Sequence, residues 1–135
     1  MANKIETIEG IGPAMAEKLA AANLTTCEQL LESCANPAGR KQVAEQTSIS
    51  EGQLLKWANM ADLMRVSGIG GEYAELLKAS GVDTIKELRN RVPANLAEKA
   101  AQVNEEKKLT RVVPSADTIA KWVEQAKTID PMITH

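Results

Sequence analysis

The chain has 135 residues with 16 Lys and Arg against 18 Asp and Glu, a formal net charge of −2 that is unlike a strongly basic nucleic-acid tail. Hydrophobic residues at 44% and charged residues at 25% are globular proportions, and a chain of this length buries roughly two thirds of its unfolded surface, so a core forms without staples. The single His is His135, which argues against a His-based metal site or a His general base and so against most hydrolases and metalloenzymes.

In chain order, the first ten residues carry Lys4, Glu6 and Glu9 and no apolar run of signal-peptide length. Nowhere do about 18 apolar residues follow one another, so a cytoplasmic protein without membrane contact is expected. Ile8-Glu9-Gly10-Ile11-Gly12 leads into Pro13, whose fixed φ and missing N–H suit a first helical position. That helix is expected to run to about Ala22, where Asn23 supplies a left-handed stop. Thr26-x-x-Gln29 reads as a capping box for the next helix. Cys27 and Cys34 share one face of it, about 10.5 Å apart along the axis and out of disulfide reach, which makes them free, buried thiols. Asn36-Pro37 opens a helix to about Gln46, and Ser50-x-x-Gln53 opens another over about Glu51 to Ala61.

The series then begins again. Val66-Ser67-Gly68-Ile69-Gly70 matches the first glycine loop at an offset of 58, and the match continues at Ala16/Ala74, Glu17/Glu75, Leu19/Leu77, Ala21/Ala79, Thr26/Thr84 and Leu30/Leu88. Gly81 stands in the place of Asn23, Thr84-x-x-Glu87 in that of the first capping box, and Pro93 and Ser115 open later helices. Leu54, Trp57, Ala58 and Ala61 return as Ile119, Trp122, Val123 and Ala126 at an offset of 65, both sets with helical spacing. The second copy therefore holds seven more residues between Arg91 and Ser115, assigned to the polar stretch Asn104–Thr110. No stretch alternates with period two. The expected fold is all-α, about eight helices in two degenerate repeats of a four-helix unit, 1–62 and 63–135, packed as one domain or two.

A loop of the form apolar-x-Gly-Ile-Gly needs glycine so that one position can take a positive φ and so that a ligand can approach the backbone. Because each loop feeds a helix N-terminus, its N–H groups face outward with the positive end of the helix dipole behind them, which suits a phosphate oxygen. Such contact does not read base sequence.

These residues resemble the helix-hairpin-helix motif of DNA repair and replication proteins, through the pattern apolar-x-Gly-x-Gly-x-x-x-Ala-x-x-Leu at Ile8–Leu19 and Val66–Leu77. Over nearly its whole length the chain also resembles a bacterial family of paired helix-hairpin-helix proteins known only as a domain of unknown function. The resemblance implies phosphate-facing amides at Gly10, Gly12, Ala14 and Met15 and at Gly68, Gly70, Glu72 and Tyr73. It further implies a monovalent cation at the carbonyls of Glu6, Ile8 and Ile11 or of Met64, Val66 and Ile69. DNA-binding copies often carry Lys or Arg in the first turn after the loop, whereas this chain has Pro13, Ala14 and Met15, or Gly71, Glu72 and Tyr73. They usually join two hairpins by a single helix, whereas two helices intervene here.

Residues 1–62 hold 5 basic and 8 acidic side chains, net −3, and residues 63–135 hold 11 and 10, net +1, so the second half is the better DNA candidate. There Lys78, Lys86, Arg89 and Arg91 add charge around the loop. Trp57 and Trp122 are expected in the core rather than as base-stacking platforms. The Tyr73 hydroxyl can donate to a phosphate, although its counterpart Met15 points to packing. Glu72 and Glu75 have no His, Cys or Ser partner in a catalytic arrangement. The expectation is a non-enzymatic, sequence-independent binder of duplex DNA, with no cofactor and no small-molecule substrate. The alternative is a helical adaptor that binds a protein partner, its glycine loops purely structural.

Overall fold

The computed structural model describes residues 3–135. Among them a 3₁₀ turn at Ile5–Thr7 precedes eight helices, α1 Pro13–Ala21, α2 Cys27–Cys34, α3 Pro37–Thr47, α4 Glu51–Leu63, α5 Gly71–Ala79, α6 Ile85–Leu88, α7 Pro93–Lys107 and α8 Ala116–Ala126. The expected all-α class holds. The local signals explain most of the boundaries. Pro13, Pro37 and Pro93 each occupy the first helical position, where their missing N–H breaks no bond. Thr26 and Gln29 form the reciprocal capping box, and Asn36, Ser50 and Ser115 each accept a bond from the amide three residues on. Asn23 and Gly81 stop α1 and α5 just past their ends with φ of 65° and 95°.

The capping box expected at Thr84 is absent. Thr84 is buried and makes no capping bond to its four-residue helix, while Glu87 turns outward to Arg91, 3.9 Å away. The additional length in the second half is also distributed more widely than Asn104–Thr110. Helix α7 has 15 residues against 11 in α3. It ends on Lys108 at φ 51°, and the rest of the addition lies in the connection to Ser115.

The described residues fall into two compact units, one that ends at Asp62 and also takes in Met132–His135, and a second at Leu63–Pro131. In the first unit α3 packs on α1 and α2, around Leu19, Leu30, Cys34, Val43 and Leu54. In the second, α7 packs on α5 and α8, and α6 on α8, around Leu76, Leu77, Ile85, Leu88, Ala100 and Ile119. The C-terminal residues 132–135, which the sequence partition leaves with the second half, are tied to the first unit at the α2–α3 corner. Thr134 N donates to Ala35 O at 2.8 Å, and the buried Arg40 guanidinium donates to Thr134 O at 2.8 Å and Cys34 O at 3.0 Å. No helix among the described residues is long and apolar enough to cross a membrane.

Candidate functional site

Each glycine loop is a four-residue turn held by its apolar ends. Ile11 N donates to Ile8 O at 3.2 Å and Ile69 N to Val66 O at 3.1 Å, with Gly10 (φ 97°) and Gly68 (φ 94°) third in the turn, the position where a type II turn demands a positive φ. Ile8, Ile11, Val66 and Ile69 are buried, while Gly10, Gly12, Gly68 and Gly70 are exposed. The apolar residues thus anchor the turn in the core and leave its peptide edge to solvent. Ile8 O and Val66 O, two of the carbonyls proposed for a cation, each already accept one hydrogen bond.

A tryptophan from the closing helix of each unit lies under the first glycine. A Cβ on Gly10 would stand 3.3 Å from Trp57 Nε1, and one on Gly68 would stand 3.0 Å from Trp122 Nε1. The backbone angle calls for glycine at both positions, and the indole adds a tight contact for any side chain, the tighter one at Gly68. The second pair of glycines differs. Gly12 and Gly70 have ordinary extended angles, φ −86° and −92°, and a Cβ on either would meet no atom within 4 Å. They are the N-caps of α1 and α5, with no side chain to satisfy the first-turn amides. The first backbone bonds of these helices run from Ala16 N to Gly12 O and from Ala74 N to Gly70 O, both 2.9 Å. The amides of Ala14 and Met15, and of Glu72 and Tyr73, precede them.

The charged groups are arranged differently in the two units. Beside the first loop, a groove of about 610 Å³ between the 3₁₀ turn and α1 is lined by Lys4, Glu6, Pro13, Glu17 and Thr26, and Glu9 is exposed on the loop itself. In the second loop the Ser67 amide is held by Gln125 Oε1 of α8 at 2.8 Å, and Glu72 is exposed in the following turn. Tyr73 commits its hydroxyl to Val112 O at 3.2 Å and its ring lies 5.4 Å from that of Trp122, so it packs as its counterpart Met15 suggests. Of the supporting basic residues, Lys78 is half-buried on α5, Lys86 is exposed on α6 and Arg89 is half-buried at the end of α6. Arg91 donates to Gly81 O at 2.7 Å, at the opposite end of nine-residue α5 from Gly70 and about 13 Å along its axis. It lines a groove of about 260 Å³ with Ser80, Asn90, Asn95 and Lys99 rather than the loop.

Cys27 and Cys34 are free and buried. Burial pushes both thiols up, Cys34 to about 11 despite the nearby Arg40 guanidinium, and Cys27 despite its hydrogen bond with Thr7. Neither has the thiolate character of a nucleophile at neutral pH. Three residues at the loops carry no separate sequence signal. Gln125 lies between core positions Trp122 and Ala126 on the α8 face, and the tryptophans read as ordinary core residues. Only the shared 58- and 65-residue spacings associate an indole with each glycine.

The chain is therefore an all-helical protein in which two compact units each carry a glycine turn feeding an uncapped helix. It belongs to the family described as a domain of unknown function (DUF4332), whose model matches residues 9–129. No curated protein and no solved structure matches it.

Proposed function

We propose that the chain is a tandem helix-hairpin-helix protein, a non-enzymatic and sequence-independent DNA-binding module. The amides at Gly10, Gly12, Ala14 and Met15, and at Gly68, Gly70, Glu72 and Tyr73, would receive duplex phosphate oxygens. One observation carries this reading. The chain caps α2, α3, α4 and α8 with Thr26, Asn36, Ser50 and Ser115 and leaves α1, α5, α6 and α7 without a capping bond; of these, α1 and α5 start behind glycines where the backbone angle is ordinary and a capping side chain has room. Serine or aspartate there would stabilise the helix more than glycine does. Bare donors at a positive helix end are what an anionic oxygen needs. The exposed Glu9 and Glu72 favour a second reading, an adaptor that meets a protein through this face.

Fluorescence anisotropy with short labelled duplexes of unrelated sequence separates the two. If two to four phosphates are neutralised, log affinity falls with log salt at a slope of roughly −2 to −4, equally for each sequence. Absence of salt-sensitive binding at low ionic strength removes the DNA reading.

A further inference from the structure

The connection into the closing helix is short in the first unit and long in the second. Residues 48–50 join α3 to α4, whereas 108–115 join α7 to α8, and each connection opens on a residue of positive φ, Ser48 or Lys108. The longer one is braced. Asn104 of α7 is buried and pairs as a peptide group would, its Nδ2 donating to Thr110 O at 3.0 Å and its Oδ1 accepting from Thr110 N at 2.9 Å. Thr110 Oγ1 and the Tyr73 hydroxyl both donate to Val112 O, at 3.0 and 3.2 Å. Leu109 packs with Tyr73 on Leu76, Ala100 and Val103, and Pro114 is buried. An amide side chain is costly to bury unless both its groups are paired, and here the pairing holds the connection in one shape.

The brace turns Arg111, Val112 and Val113 outward, beside the exposed Lys107 and Lys108. Residues 107–113 carry three cations and no carboxylate, while Glu105 and Glu106 precede them on α7. Val112 is 66% exposed. Tyr73 ties this tip to the second glycine loop, because it stands in the first turn of α5, where its own amide is one of the proposed phosphate donors. Those amides are neutral, and a salt-dependent affinity needs Lys or Arg side chains that displace counterions. The first turns of α1 and α5 hold none, and Arg91 faces the other end of α5. We propose that the α7–α8 connection is a second backbone contact of this unit. Lys107, Lys108 and Arg111 neutralise duplex phosphates next to the one the loop amides hold, and Val112 and Val113 lie against the sugars between them. This rests on the DNA-binding reading above and names the side chains that supply its charge. Phosphate and sugar carry no base identity, so the contact keeps that reading's indifference to sequence.

Fluorescence anisotropy of the whole chain with a short labelled duplex tests this across a salt series. Lys107→Gln, Lys108→Gln and Arg111→Gln combined are expected to flatten the slope of log affinity against log salt by roughly 2 to 3 and to weaken low-salt binding about 10-fold or more. All three side chains are exposed, so circular dichroism and the urea midpoint should match wild type. Arg111→Gln and Lys99→Gln change the net charge equally, but Lys99 lines the groove with Ser80 at the far end of α5. Arg111→Gln is expected to weaken binding roughly 3-fold and Lys99→Gln by much less. Val112→Ser with Val113→Ser keeps every charge and should lower affinity at an unchanged slope. A wild-type slope in the triple variant, or equal losses from Arg111→Gln and Lys99→Gln, overturns the proposal and leaves the DNA reading standing. A wild-type chain without salt-sensitive duplex binding removes both and leaves this surface to an acidic protein partner.

Discussion

The two glycine turns share backbone geometry to within a few degrees and differ in nearly everything around it. Gly10 and Gly68 have φ of 97° and 94°, and Gly12 and Gly70 have φ of −86° and −92°. Around the first, Glu9 sits on the turn and Glu6 and Glu17 line the neighbouring groove; around the second, Ser67 replaces Glu9 and Gln125 fixes its amide. The common part is what apolar anchors, a left-handed glycine and an indole enforce. The divergent part is the charge an approaching anion meets. On the DNA-binding proposal, the second loop is thus the better candidate for a phosphate, and the first would bear the greater repulsion.

The largest effects test the common part. Gly10→Val and Gly68→Val each impose a positive φ on a β-branched residue and drive Cβ into an indole, at about 4 kcal/mol of stability in urea denaturation. The Gly68 variant is the costlier, because its contact is 3.0 Å against 3.3 Å. Little change in either would show that the turn is not locked as described. Next come the caps. Thr26→Ala loses a reciprocal box and about 1 kcal/mol, whereas Thr84→Ala loses no capping bond and costs nothing from that source. Equal loss would mean that the two hairpins are capped alike after all.

Alkaline pH separates the units through the thiols, both of which lie in the first. The unfolded Cys34 sheds its proton near 9.0, while the folded thiol holds it to about 11. The contribution is complete below pH 9 and is lost as pH rises through about 11, since the folded state there binds the extra proton. The urea midpoint should fall across this window, and Cys27→Ala with Cys34→Ala should flatten the fall. A midpoint equally steep without the thiols would assign it elsewhere. The smallest effects concern the divergent charges. Glu9→Gln and Glu72→Gln each remove an exposed carboxylate and are expected to raise duplex affinity roughly 2- to 5-fold at low salt, converging with wild type as salt rises. Weaker binding by either variant would favour the protein-partner reading.

Most of the fold can be read from residues that act locally. Proline at a first helical position, the Thr26–Gln29 pair and the stops at Asn23 and Gly81 set boundaries through the chain within a few residues, so they show in the sequence. Thr84 misleads because its capping pattern is intact while its side chain is buried and Glu87 prefers Arg91. The backbone of the loops is legible for the same reason, since Gly-Ile-Gly before a helix permits few conformations. Their surroundings are not. Gln125 reaches Ser67 across 58 residues, and Arg91 faces Gly81 rather than the loop, through contacts that only packing creates. The indoles show the same limit, because helical spacing marks Trp57 and Trp122 as buried and cannot say where a nitrogen points.

The most direct measurement pairs stability with binding in Gly12→Asp and Gly70→Asp. An aspartate at either N-cap satisfies the first-turn amides from within and favours the helix dipole, so the urea midpoint should rise by an amount equivalent to about 0.5–1 kcal/mol. The same carboxylate occupies the donors that phosphate would take, so salt-sensitive duplex binding should disappear when both loops are capped. A doubly capped chain that is more stable and still binds duplex as tightly as wild type would contradict the account.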